Sequence, residues 1–136
     1  SDFILELEAF MPGKDFDSGI GLRCVLPKGK QLPDGYQSEI SDIRSGGIYD
    51  IGVGWMNPID EETKINEFVD RTGTFFKPMA WNQIRVACEG SRIRTWINGQ
   101  LCSDFEDDKH KHGTIGLQHH AKEGVYRFRN LRIREI

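Results

Sequence analysis

Polar side chains able to hold or transform a ligand recur at alternate positions of strand-like runs: Arg23, Gln37, Glu39, Arg94, Gln118 and His120. Each lies at the parity opposite to an apolar set: Leu22 beside Arg23, Tyr36 and Ile40 around Gln37 and Glu39, Ile93 and Thr95 around Arg94, and Leu117 beside Gln118. In an extended chain successive side chains point to opposite faces, so apolar sets turned to a core leave these groups on a free face. A groove lined by Arg, Gln, Glu and His suits a sugar, whose hydroxyls need directional donors and acceptors and whose C–H face needs an aromatic platform. Tyr49, Trp55 and Trp96 are the candidate platforms. Glu39, Asp42 and His120 also combine imidazole and carboxylate, which suit a divalent ion, although no ligand spacing demands a metal.

Each of these residues has a plainer reading. Glu39 and Asp42 fit solvated strand and turn carboxylates, and Arg23 and Arg94 fit a surface ladder with Glu39. Alternation sends one imidazole of His119-His120 inward and the other outward, which makes His119 a core or edge residue. Lys109-His110-Lys111-His112 reads as a solvated loop.

The elements that must position these groups are strands. Period-2 alternation runs through Phe3 to Ala9, Ile20 to Val25, Tyr36 to Ile40, Ile84 to Cys88, Ile93 to Ile97, Ile115 to Gln118 and Val125 to Ile136. Turns separate them: Pro12-Gly13-Lys14-Asp15, Pro27-Lys28-Gly29, Pro33-Asp34-Gly35, Glu89-Gly90-Ser91-Arg92 and Asn98-Gly99, the last the strongest hairpin signal because a type I′ turn needs positive φ twice. Many short strands with Gly/Pro-rich turns predict an all-β sandwich or barrel in one domain spanning 1–136. Residues 51–80 lack clean alternation and read as a long functional loop; their best helical window, Asp60 to Asp70, is short.

The chain has 136 residues and a formal charge of −3, and nothing in it points to nucleic acid. No apolar run is long enough for a membrane-spanning helix. The opening directly on Phe3-Ile4-Leu5-Glu6-Leu7 reads as a mature form or a fragment. Cys24, Cys88 and Cys102 are odd in number and read as buried thiols. Two-residue loops at Gly90-Ser91 and Asn98-Gly99 place Cys88 opposite Ile93 and separate it from Cys102 by two strands, about 9–10 Å, beyond the reach of a disulfide. The same register leaves Trp96 either in the core or in a groove, and a bulge near Asn98-Gly99 would turn Leu101 and Phe105 to the core side.

Several segments taken in order carry a resemblance: Phe3-Ile4-Leu5-Glu6-Leu7-Glu8, Ser18-Gly19-Ile20-Gly21-Leu22-Arg23, Gly35-Tyr36-Gln37-Ser38-Glu39-Ile40, Ser45-Gly46-Gly47-Ile48-Tyr49-Asp50, Lys77-Pro78 with Trp81-Asn82, Ile93 to Gly99, Ile115-Gly116-Leu117-Gln118 and Phe128 to Ile133. Together they resemble the 3-keto-disaccharide hydrolase family. The resemblance implies a concanavalin A-like jelly roll, a two-sheet antiparallel sandwich. It implies bacterial glycoside breakdown outside the cytoplasm on sugars oxidised at C3, with Asp50 of the Ile-Tyr-Asp motif among the residues that hold substrate.

The chemistry so implied is removal of the acidified C2 proton by His120 or Glu39, with Arg23, Arg94 or a divalent metal at the enolate oxygen. A non-catalytic carbohydrate-binding module, or a structural or assembly domain of the same fold, is the alternative. Two departures from the family stand out. Ile51-Gly52-Val53-Gly54-Trp55 replaces the acidic and arginine residues usual after Ile-Tyr-Asp. The extra segment that usually precedes the Phe-x-Leu strand is also missing. That strand is therefore expected at an open sheet edge, ready to pair with a neighbouring domain or subunit.

Overall fold

A computed structural model describes residues 1–13, 15–120 and 124–136. Its elements are β1 (Phe3–Phe10), β2 (Asp17–Val25), β3 (Asp34–Ser41), β4 (Ile48–Asp50), β5 (Gly54–Asn57), α1 (Glu62–Thr72), β6 (Trp81–Glu89), β7 (Arg92–Ile97), β8 (Gln100–Glu106), β9 (Thr114–His119) and β10 (Arg127–Glu135). The strands form two antiparallel five-stranded sheets, ordered β10-β1-β6-β7-β8 and β5-β4-β3-β2-β9. This is a jelly-roll sandwich. The expected turn at Pro12–Asp15 includes Lys14, which lies outside the described residues.

Alternation builds the core as the sequence predicts. Phe3, Leu5, Leu7 and Ala9 of β1 are buried while Ile4, Glu6, Glu8 and Phe10 are only half-buried. In the second sheet Ile20, Leu22, Tyr36, Ile40 and Ile48 point inward and join the same cluster as Ile84, Val86, Ile93 and Ile97. Glu89 pairs with Arg92 and Ile97 with Gln100, so both hairpins close on two residues. Asn98 and Gly99 take φ of 50° and 79°, as a type I′ turn requires. A register shift between Thr95 and Trp96 sets Cys102 into the core, whereas Leu101 stays exposed. All three thiols are free and buried, and burial pushes Cys88 and Cys102 up to about 11.

Two expectations are corrected. Residues 51–80 are not one loop: they contain β5 and the 11-residue helix α1. Ile65, Phe68, Val69 and Thr72 recur at helical spacing, and Phe68 and Thr72 are buried. Arg71 ties α1 to the first sheet by donating to the carbonyls of Leu101 (2.9 Å) and Cys102 (2.6 Å). Polar residues on the other side of the helix hide this pattern from a strand-based reading. The opening strand, second, is not an edge, because β1 pairs with β10 on one side and β6 on the other. The rim of that sheet is β10, whose Leu131 and Ile133 remain half exposed.

Asn82, wholly buried, fastens the connection into β6. Its amide donates to the carbonyls of Lys77 (2.8 Å), Ala80 (2.9 Å) and Ala9 (3.4 Å), and its oxygen accepts from Lys77 N (2.7 Å) and the Asn98 amide (2.9 Å). Asn82→Ala removes five hydrogen bonds of one buried side chain at once, and the expected loss is about 2 kcal/mol in urea unfolding. A loss below about 0.5 kcal/mol would mean that water replaces the amide.

Candidate functional site

The outer face of the second sheet is a trough. Gly19 and Gly21 of β2 and Gly116 of β9 fall at outward positions, with Gly19 paired to Glu39 and Gln118, and Gly21 to Gln37 and Gly116. Because these positions carry no side chain, the floor is bare backbone. Gln37 lies across Gly19: a Cβ there would meet the Gln37 Cγ at 2.5 Å. Two hollows open along the trough. One, of about 270 Å³, is lined by Asp17, Glu39, Asp42, Arg44 and Trp55 among others. The other, of about 360 Å³, is lined by Gln37, Gln118 and several apolar residues.

Glu39 sits at the centre of this surface and is 8% exposed. Burial is the first cause that pushes its carboxyl up to about 7; the nearby Asp17 carboxylate adds to the rise. The Gln37 amide, donating to Glu39 Oε1 at 2.9 Å, opposes the rise, as do the backbone at Ile40 and the Arg44 guanidinium. A carboxyl held near neutrality can both take and give a proton at physiological pH. Beside it, Arg44 lies over the Trp55 ring at 4.4 Å, and Tyr49 meets Trp55 edge-on at 5.3 Å. Gln118 Oε1 is buried and has no hydrogen-bond partner among the described residues, so an acceptor is left for an incoming hydroxyl.

The structure therefore brings together Gln37, Glu39, Tyr49, Trp55 and Gln118, with Asp42 on the wall of the Glu39 hollow. His120 stands at the mouth, 61% exposed at its side chain. It reaches this group through Asp17, its Nδ1 lying 2.9 Å from Asp17 Oδ2 and its backbone N–H donating to Asp17 O. His119 ends β9 as an exposed residue, tilted against Tyr126 with ring centroids 4.1 Å apart and with Nε2 3.2 Å from the Gly124 carbonyl oxygen. Among the described residues no three His, Cys, Asp or Glu side chains converge as metal ligands, so the Glu39, Asp42 and His120 set is not assembled as one.

Four expected site residues lie elsewhere. Arg23 is 3% exposed and takes a φ of 52° at the register shift of β2, which turns it off the trough face. Its guanidinium donates to the carbonyls of Ser1 (2.9 and 3.2 Å), Gly90 (2.7 Å) and His110 (3.3 Å) and to Asp2 (3.3 Å). Asp50 shares the inward parity of Ile48 and is 2% exposed, held by Lys109 Nζ (2.8 Å) and His110 Nε2 (2.9 Å). The loop at 109–112 is thus partly structural. Arg94 and Trp96 belong to β7, on the outer face of the opposite sheet, where Arg94 pairs with Glu89 at 2.6 Å and both Arg85 and Arg94 lie over Trp96.

Sequence reading missed Asp17, Arg44 and the glycine floor. The floor had a signal: Gly19 and Gly21, two apart in a strand, leave one face bare. A consequence is testable. Gly19→Ala should displace Gln37, remove its hydrogen bond to Glu39 and raise the Glu39 carboxyl further above about 7. NMR titration of that carboxyl checks it, and an unmoved midpoint would show that Gln37 relaxes without releasing Glu39.

Similar proteins share this fold. A candidate glycosyl hydrolase from Parabacteroides distasonis ATCC 8503 superposes with a TM-score of 0.68 at 16% identity, covering 99% of this chain and 70% of that one. A second from the same organism gives 0.62 at 19% identity, covering 98% and 78%. The carbohydrate-binding module CBM66 of Bacillus subtilis gives 0.59 at 18% identity, covering 98% and 74%. No curated protein matches the chain. The profile of the 3-keto-alpha-glucoside-1,2-lyase-like domain matches residues 1–134, essentially the whole sandwich and its trough, and the chain belongs to that family.

Proposed function

We propose that the trough binds a glycoside oxidised at C3 and that Glu39 is the base that opens it. The observation that carries the reading is the Glu39 carboxyl, poised at about 7 over a glycine floor and flanked by amides and Trp55. A ketone at C3 acidifies the C2–H bond. Glu39 takes that proton, and the C–H electron pair moves into an enolate whose oxygen carries the charge. The enolate collapses to restore the ketone, a C1–C2 double bond forms, and the C1–O bond breaks. The departing oxygen takes a proton from Glu39 or from His120 at the mouth. Arg44 and the amides of Gln37 and Gln118 supply the donors nearest to Glu39 for the developing oxyanion. Water adds later across the double bond. One base suffices for this route, whereas ordinary glycosidases need two carboxylates across the bond.

The second reading is a carbohydrate-binding domain without turnover. The aromatic pair Tyr49–Trp55, the unpartnered Gln118 oxygen and the likeness to CBM66 favour it. Incubation with a 3-keto-glucoside, with added divalent ion and with chelator, separates the two. Release of the aglycone supports the enzyme, and a difference between the two conditions reports metal dependence. Saturable binding without release supports the binding domain. Neither release nor binding rejects both.

A further inference from the structure

The hollow beyond Gln37 differs in chemistry from the one around Glu39. Leu26 and Leu32, from the connection between β2 and β3, are 63% and 60% exposed, and both line it together with Pro33, Ile51 and Cys24. Solvent-exposed leucines are unremarkable singly, but here two of them flank one concave site of about 360 Å³. Its polar groups are few: the Thr114 hydroxyl donates to the Cys24 carbonyl at 3.2 Å and the Gln37 amide donates to Glu39, which leaves the Gln118 oxygen and the Gln31 side chain to meet a ligand. A second sugar ring here would leave most of its hydroxyls without partners, at a cost of about 1–3 kcal/mol for each one buried unpaired. An apolar group would instead cover the leucines and Ile51 and lose nothing.

The two hollows join at Gln37, which lines the apolar one and holds the carboxyl of the polar one. A sugar ring that turns C2 to Glu39 has room along the trough for a C1 substituent in the apolar hollow. We infer that the chain is built for 3-keto-glycosides with an apolar, aryl-type aglycone, held between Leu26, Leu32, Pro33 and Ile51, rather than for disaccharides. This inference rests on the reading of Glu39 and the trough given above.

The test compares calorimetric binding of phenyl 3-keto-α-glucoside, methyl 3-keto-α-glucoside and free phenol to the wild-type chain and to a Leu26→Asp/Leu32→Asp variant. Both leucines are more than half exposed, so the variant keeps the fold, as its circular dichroism will verify. The phenyl glycoside should bind at least tenfold more tightly than the methyl glycoside, and the advantage should fall below threefold in the variant while methyl glycoside affinity stays put. Equal affinity for the two glycosides in the wild type overturns the inference and leaves the sugar site standing. Phenol binding that is lost in the variant, with no contribution from the sugar, supports the apolar hollow and rejects the sugar reading. Binding of none of the three probes rejects both.

Discussion

A Glu39→Gln protein should release the aglycone of a 3-keto-glucoside about 10²–10⁴-fold more slowly than the wild type while binding it with nearly the same affinity. The substitution keeps the shape and the hydrogen-bonding reach of the side chain and removes only the proton acceptor. The pH dependence carries the same signature. With the carboxyl at about 7, kcat/KM of the wild type should climb tenfold per pH unit below neutrality and level off above it. The residual rate of the variant should lack that limb. An unchanged rate, or a limb that survives, would take Glu39 out of the chemistry and leave the trough as a binding surface.

The same carboxyl links folding to pH. Its folded value is raised from 4.5 to about 7, so the fold favours the protonated form. Its stabilising contribution is fully present below about 4.5 and is lost as pH rises through about 7. The span is on the order of 3 kcal/mol. Wild-type Tm should fall between pH 5 and pH 8 relative to Glu39→Gln, whose corresponding amide does not titrate. Parallel Tm profiles for the two proteins would show that Glu39 is solvated and its carboxyl ordinary.

Arg23→Ala is expected to cost about 3 kcal/mol, a Tm loss of roughly 10 °C, with KM changed less than twofold. The guanidinium is a buried staple rather than a substrate clamp. It gathers the carbonyls of Ser1, Gly90 and His110 and the carboxylate of Asp2, and so joins the start of β1, the β6–β7 hairpin and the loop ahead of β9. Removing it leaves these acceptors without the one donor that gathers them. Arg23→Lys should not rescue the loss, because an ammonium cannot span the fork that the guanidinium fills. A large rise in KM with unchanged Tm would instead return Arg23 to the sugar site.

The strands themselves were open to reading from the residues alone. Alternation in β1, β2, β3, β6 and β7 marks the core-facing side of each, and Asn98-Gly99 and Gly90-Ser91 dictate their hairpins through local backbone preference. Parity also places Gln37, Glu39 and Gln118 outward, and it places Asp50 inward with Ile48, a point the Ile-Tyr-Asp resemblance obscured. Parity is a property of one strand, however. Which of two sheets a strand joins depends on long-range pairing, and only the folded chain puts Arg94 and Trp96 on one outer face and Glu39 on the other. A bulge resets parity within a strand, which is why Arg23 turns inward at a φ that no pattern of neighbours announces. The raised Glu39 carboxyl likewise arises from burial and from Asp17, brought beside it by the pairing of β2 with β3. Residue types and spacing determined the strands and the outward set. Tertiary pairing decided which of those side chains share a site, because electrostatics and burial act across strands that lie far apart in the chain.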